Sequence, residues 1–155
     1  MKRIALASLL LCVAACRTAG PSNTVAIAGH GAISISIVPN PIVAVPAGNG
    51  QYDFPVDVIV RETAGRAVTV SRVTATVYGP MGLKVGDQSW DEAQIKAAGY
   101  STNVPGNGEL RYHFVPRKPV PDERLFGSVR AELRVDAYDD TATPTSSTTA
   151  ASITR

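Results

Sequence analysis

From Ala32 onward, apolar residues recur at every second position, the spacing of strands with one buried face. Ile33, Ile35 and Ile37 share one face, while Ser34 and Ser36 take the other. Val38-Pro39-Asn40-Pro41 breaks this run before it resumes over residues 42–45. Two prolines so close together lack the ladder donors of a central strand, which predicts a kinked edge strand. Residues 46–50 turn the chain. A second strand directs Phe54, Val56, Val58 and Val60 inward, with Asp57 and Arg61 opposite, and residues 62–66 form a turn. The third strand points Val68 and Val70 inward, then Val73, Ala75 and Val77. That change of parity requires a one-residue slip, predicting a bulge near Ser71-Arg72. Leu110, Tyr112 and Phe114 alternate with Arg111 and His113. The cleanest amphipathic strand places Val129, Ala131, Leu133, Val135 and Ala137 against Arg130, Glu132, Arg134 and Asp136. In the Thr/Ser/Ala-rich stretch 143–154 only Ala151 and Ile153 look inward, so it reads as a terminal edge strand.

One window has helical character. Ser89-Trp90-Asp91-Glu92 has capping-box spacing, in which Ser89 and Glu92 satisfy each other's free amides. Glu92 and Lys96 stand at i,i+4, and Gly99 is placed to stop the helix after two or three turns. Trp90, Ala93 and Ala97 share one stripe, and Ile95 points away from it.

In order and spacing, residues 32–155 resemble an immunoglobulin-like or fibronectin type III-like domain. The kinked first strand and the long alternating penultimate strand carry the resemblance. It implies an all-β fold, a two-sheet antiparallel sandwich with one short helix between strands. Residues 78–107, which hold that helix, form an insertion. A cysteine pair between sheets and a tryptophan on the third strand are missing, which excludes an antibody-type domain; a closed barrel is the alternative architecture.

The N-terminus carries an address. Met1-Lys2-Arg3 precedes an apolar or small-residue run over 4–15. That is short of the ~20 residues needed to cross a bilayer and has the layout of a secretory signal peptide. The run ends in Val13-Ala14-Ala15-Cys16, which resembles the lipobox of bacterial lipoproteins, with Val13 in place of the commoner Leu. The resemblance implies cleavage after residue 15 and diacylglycerol on the Cys16 thiol. A lipobox ending at Cys12 would put bulky Leu11 at the cleavage position. Arg17 stands where Asp would signal retention in the inner membrane, which favours the outer membrane in an organism that has one. Residues 16–31 then read as the lipidated Cys and a flexible tether, though Val25, Ala26 and Ile27 could form a short first strand.

Composition sharpens this picture. The chain has 155 residues, with 15 Lys+Arg against 13 Asp+Glu, and includes 18 Val and 13 Thr, which suit strands. Cleavage would remove Lys2 and Arg3 and leave a formally neutral chain, which argues against nucleic-acid binding. It would also remove Cys12, so no intrachain disulfide is expected. Among reactive groups, His30 lies in the tether and His113 faces solvent from a strand. No nucleophile motif, zinc motif or phosphate loop is present. Asp136, Asp139 and Asp140, and Asp87, Asp91 and Glu92, are the two acidic groupings that could bear on calcium, yet solvation and helix-end charge explain them adequately. No metal or cofactor is expected beyond the acyl lipid on Cys16.

Tyr78, Met81, Trp90 and Tyr100 fall within the insertion and are the candidate partner-binding residues. The competing role for Trp90, and the preferred one, is to pin the helix over an open end of the core. The sequence thus predicts a non-enzymatic, lipid-anchored envelope protein that binds a protein or glycan partner, serving in adhesion or assembly. An accessory carbohydrate- or polymer-binding domain using the insertion aromatics is the alternative. Radiolabelled palmitate should appear on the wild-type protein and vanish from Cys16→Ser; label on both, or on neither, would refute the anchor.

Overall fold

The isoleucines of the first alternating run are buried on one side, as their period demands, and the same logic builds every long strand. The computed structural model describes residues 23–155, and the expected signal peptide and Cys16 lie outside the described residues. In chain order the strands begin with β1 (Asn23–Val25), β2 (Ile33–Val38), β3 (Ile42–Val43), β4 (Val45–Gly48) and β5 (Gln51–Asp53). They continue with β6 (Val56–Glu62), β7 (Val68–Tyr78) and β8 (Lys84–Asp91), then helix α1 (Glu92–Ala97) and β9 (Asn103–Val104). The last are β10 (Glu109–Phe114), β11 (Arg117–Pro119), β12 (Arg130–Asp139) and β13 (Pro144–Thr154).

The fold is mostly β, with antiparallel sheets and, among the described residues, no closed barrel. The large sheet runs β1-β13-β12-β7-β8, with β3 beside β13 and β9 beside β7; a second sheet runs β10-β6-β2. A small third sheet, β11-β5-β4, crowns one end. Ile33, Ile35 and Ile37 from β2, and Val56, Val58 and Val60 from β6, meet Val73, Leu133, Val135 and Ile153 of the large sheet in one core. At the Pro39–Pro41 kink the chain leaves the second sheet. It then joins the large one, where β3 pairs with β13 in parallel. The bulge lies at the expected place: Arg72 faces Asp136 and Val70 faces Ala137, so Ser71 is the extra residue. Its hydroxyl donates to the Asp136 carbonyl at 3.1 Å.

Several expectations are corrected. Residues 84–91 form a strand against β7, so the helix starts later than Ser89, and Asp91 is its N-cap in a capping box with Gln94. Six residues leave fewer than two turns, and the helix buries Ile95, because its orientation follows from β8 rather than from a stripe through Trp90. Gly99, at φ +85°, ends it as expected. β13 is no edge strand: β12 flanks it on one side and β1 and β3 on the other, and Thr145, Ser147 and Thr149 are buried on the same face as Ala151 and Ile153. Asn23–Val25 makes β1 a paired strand inside the stretch expected to be tether.

Glu62, expected in a turn, is instead the buried end of β6, 1% exposed. Its carboxylate accepts from the amides of Ala32 (3.2 Å), Ala64 (2.8 Å), Gly65 (2.8 Å) and Asn107 (2.9 Å). Burial alone would raise its pKa, but these amides outweigh burial and hold it below the ordinary value. Asp139, equally buried at the end of β12, accepts from the Thr141 hydroxyl (2.6 Å) and the amides of Thr141, Thr143 and Gly31. The Thr141 hydroxyl foremost, and then the amides, outweigh burial and keep this carboxyl well below the usual carboxylate range. Gly31 fits between them because it has no side chain: a Cβ there would collide with Val68 Cγ1 and press on Asp139 Cβ at 3.1 Å.

Two predictions follow from this packing. Both carboxyls have lowered values in the folded state, so their contribution is complete above the ordinary carboxylate range and is lost progressively as pH falls from there through the lowered folded-state values. The urea midpoint should stay level from pH 7 to about 5 and then drop steeply, with a shallower drop and a lower plateau in Asp139→Asn; an unchanged profile in the variant would remove this role. Gly31→Ala should cost about 1–3 kcal/mol by overpacking, whereas Gly86→Ala, which opens into free space, should change urea stability little.

Candidate functional site

The two main sheets do not meet along the side where β8 and β10 end their respective sheets. Trp90, opposite Val73 on β7, reaches across this gap and stacks on Phe114 of β10, with ring centroids 4.5 Å apart and planes at 22°. After α1, Tyr100 turns back into the same gap. Its hydroxyl donates to the His113 carbonyl at 2.9 Å, and its ring meets Tyr112 edge-on at 5.6 Å. Tyr112 is buried beneath, with its hydroxyl donating to the Ser101 carbonyl at 3.0 Å, and burial pushes its phenol up to about 12.

The result is a cleft of about 380 Å³, with Trp90, Tyr100 and Phe114 as its aromatic wall and Gln88, Gln94 and His113 among its polar lining. Such a volume lies at the low end of small-ligand sites, roughly 300–1,000 Å³. His113 is exposed, as its place in the alternation predicts, and its Nδ1 stands 2.7 Å from Asp57 Oδ1. Arg111 holds the other oxygen of Asp57 at 3.2 Å. The hydroxyl at the cleft is that of Tyr100, engaged with a backbone carbonyl. The groups gathered here can stack, exclude water and hydrogen-bond; they do not form a nucleophile beside a base.

Of the four candidate residues, the structure brings Trp90 and Tyr100 together and leaves Tyr78 and Met81 elsewhere. Tyr78 ends β7 beneath the Arg130 guanidinium, 5.0 Å from its ring centre. Met81 sits at the tip of the β7–β8 turn, beside Gly79, Gly127 and Ser128. Trp90 packs against the core, as the preferred role requires, and also lines the cleft. Phe114, Gln88 and Gln94 were not singled out from sequence. Alternation alone marked Phe114 as inward, and nothing local distinguished the glutamines from ordinary surface residues.

His30, expected to be unoriented in a tether, is held. Its Nδ1 lies 3.0 Å from Asp139 Oδ2 and 3.3 Å from Thr141 Oγ1. Carboxylate and hydroxyl converge on the same ring nitrogen, whereas a proton relay needs them on opposite nitrogens. This is a latch that ties the N-terminal segment to the β12–β13 turn. The other acidic groups are also engaged: Asp136 with Arg134, Asp140 with Arg66, Asp87 with Lys84, and Glu92 with Lys96. Among the described residues no three His, Cys, Asp or Glu side chains gather to hold a metal ion.

No family model matches the chain, and no curated protein matches it. Solved structures do. A Northeast Structural Genomics Consortium target, SoR45, is similar with a TM-score of 0.53 and 7% identity, over 83% of this chain and 90% of that one. A Bordetella pertussis protein provisionally assigned as ApaA is similar with a TM-score of 0.53 and 11% identity, over 88% of this chain and 98% of that one. At such identities the likeness is one of fold, and it extends over most of the chain: an antiparallel, mostly β architecture.

Proposed function

We propose that this protein is a non-enzymatic, lipid-anchored component of the bacterial cell envelope that binds a partner in the cleft between β8 and β10. The convergence of Trp90, Tyr100 and Phe114 between two sheet edges carries the reading. Aromatic side chains at a concave site supply large contact area at low entropic cost. Among the described residues β8 and β10 each pair on one side only, so backbone donors and acceptors flank the aromatics on both walls. An extended polypeptide segment suits that combination, since it can add to an edge and place alternate side chains in the cleft. The second reading, a glycan or polymer ligand, draws on the same planar rings beside the amides of Gln88 and Gln94.

The anchor comes from the lipobox-like run ending at Cys16, and Arg17 after it favours the outer membrane. Two antiparallel sheets facing each other, and a first strand that changes sheets at its proline kink, support the immunoglobulin-like or fibronectin type III-like assignment.

A photo-cross-linker at Gln88 should give a discrete adduct in the intact envelope, while the same group at Asp87, on the other face of β8, should not. Adducts at both positions, or at neither, would sink the polypeptide reading; binding on a glycan array that is lost in Tyr100→Ala would replace it with the sugar reading. Trp90→Ala should lose binding and also about 2 kcal/mol of stability, less than a fully buried tryptophan because the ring is only partly buried.

A further inference from the structure

Large apolar side chains exposed on this domain are not scattered. Nine are exposed among the described residues, and seven of them lie at the same end of the molecule. The registers define that end: Tyr78 faces Arg130, Arg130 faces Ser152, and β3 lies beside Ile153 and Thr154. The β7–β8 turn carries Met81, which is fully exposed, together with Leu83 at 70% and Val85 at 59%. Val38, at the end of β2 away from Ile33, and Val43, Val45 and Val115, around the small third sheet, add to them. Met81 also holds a left-handed φ of 57°, an unfavourable backbone for a side chain that gains nothing from packing. Lys84, Lys118 and Arg130 stand among these residues. The opposite end has another character, closed by the buried carboxylates of Glu62 and Asp139 and the polar turns they organise.

The chain before β1 bears on what covers the apolar end. β1 runs from Asn23 beside Thr148 to Val25 beside Ser146. Its N-terminal side is therefore directed along β13 towards Thr154, that is, towards the apolar end. Six residues separate Cys16 from Asn23, which fully extended reach at most roughly 25 Å. From Thr148 to Thr154 the rise along β13 is itself about 20 Å. A lipid on Cys16 thus keeps the domain within roughly 25 Å of the bilayer, and with the apolar end foremost nearly all of that reach is used in passing it. The direction of β1 and the clustering of apolar side chains select the end that meets it.

We propose that the end formed by the β7–β8 turn and the third sheet docks on the bilayer that holds the anchor. Met81 and Leu83 enter the interfacial region there, and Lys84, Lys118 and Arg130 meet lipid phosphates. This rests on acylation of Cys16. It adds a second membrane contact, which fixes the orientation and leaves the β8–β10 cleft opening sideways, within reach of partners in or near the same membrane. A single inserted turn binds weakly alone, but an anchored domain presents it at high effective concentration.

The test uses the full-length, lipidated protein reconstituted into phosphatidylethanolamine–phosphatidylglycerol vesicles, with a nitroxide at Met81→Cys or, at the opposite end, at Ala64→Cys. Collision with dissolved oxygen, relative to a water-soluble nickel chelate, should be several-fold higher at position 81 than at position 64. Protein that floats with the vesicles through Cys16 yet leaves both positions equally open to the chelate would overturn the docking alone. Protein that takes no palmitate and floats equally as Cys16→Ser would overturn the anchor, and the docking that rests on it.

Discussion

Two carboxylates hold one end of this molecule together. Glu62 at the end of β6 and Asp139 at the end of β12 belong to opposite sheets, and they accept from the adjacent amides of Ala32 and Gly31. The entry into β2 is therefore clamped between the layers just where the chain passes from the β1 segment into the core. Glu62 is held by amides alone, while at Asp139 the Thr141 hydroxyl leads and three amides join it. A buried charge satisfied in this way needs no matching cation, and it removes several amides from the list of groups that burial would orphan. With one cysteine expected to carry lipid and the other lost with the leader, this arrangement does the sheet-to-sheet fastening that a disulfide performs in some other sandwiches.

The clamp also explains the asymmetry of the domain. Where Glu62, Asp139 and Gly31 meet, the sheets are closed and polar groups are fully paired. At the other end the chain crosses between sheets at the proline kink, the small third sheet fills the gap, and apolar side chains remain outside. Along the β8–β10 flank the layers diverge, and aromatic rings rather than strands bridge them. Closed end, apolar end and aromatic flank are three different surfaces, and their separation would let the proposed anchor, bilayer contact and partner each use a different one.

Period-two alternation was enough to place most long strands and the bulge at Ser71, because each depends on which side of a local chain faces a hydrophobic layer. The kink at Pro39 and Pro41 was equally legible, since a missing donor is a property of the residue. β8 was not: Lys84, Asp87 and Gln88 look like loop, and they form a strand only because β7 offers an unpaired edge. The helix start moved for the same reason, with β8 consuming Ser89 and Trp90. Thr145, Ser147 and Thr149 gave no sign of burial, because their side chains are polar; they are buried on the face they share with Ala151 and Ile153.

The sequence by itself determined the all-β character, the inward faces, the bulge, the kink and the presence of aromatics in the 78–107 region, all consequences of side-chain period and residue chemistry within a few positions. Only the tertiary structure decided that Trp90 and Tyr100 meet Phe114, that Met81 and Tyr78 part from them, and that Glu62 is buried rather than turned to water. Those outcomes depend on which strands become neighbours. His30 is the clearest case: an isolated histidine in a polar stretch, it acquires a partner only when β12 delivers Asp139 from 109 residues away.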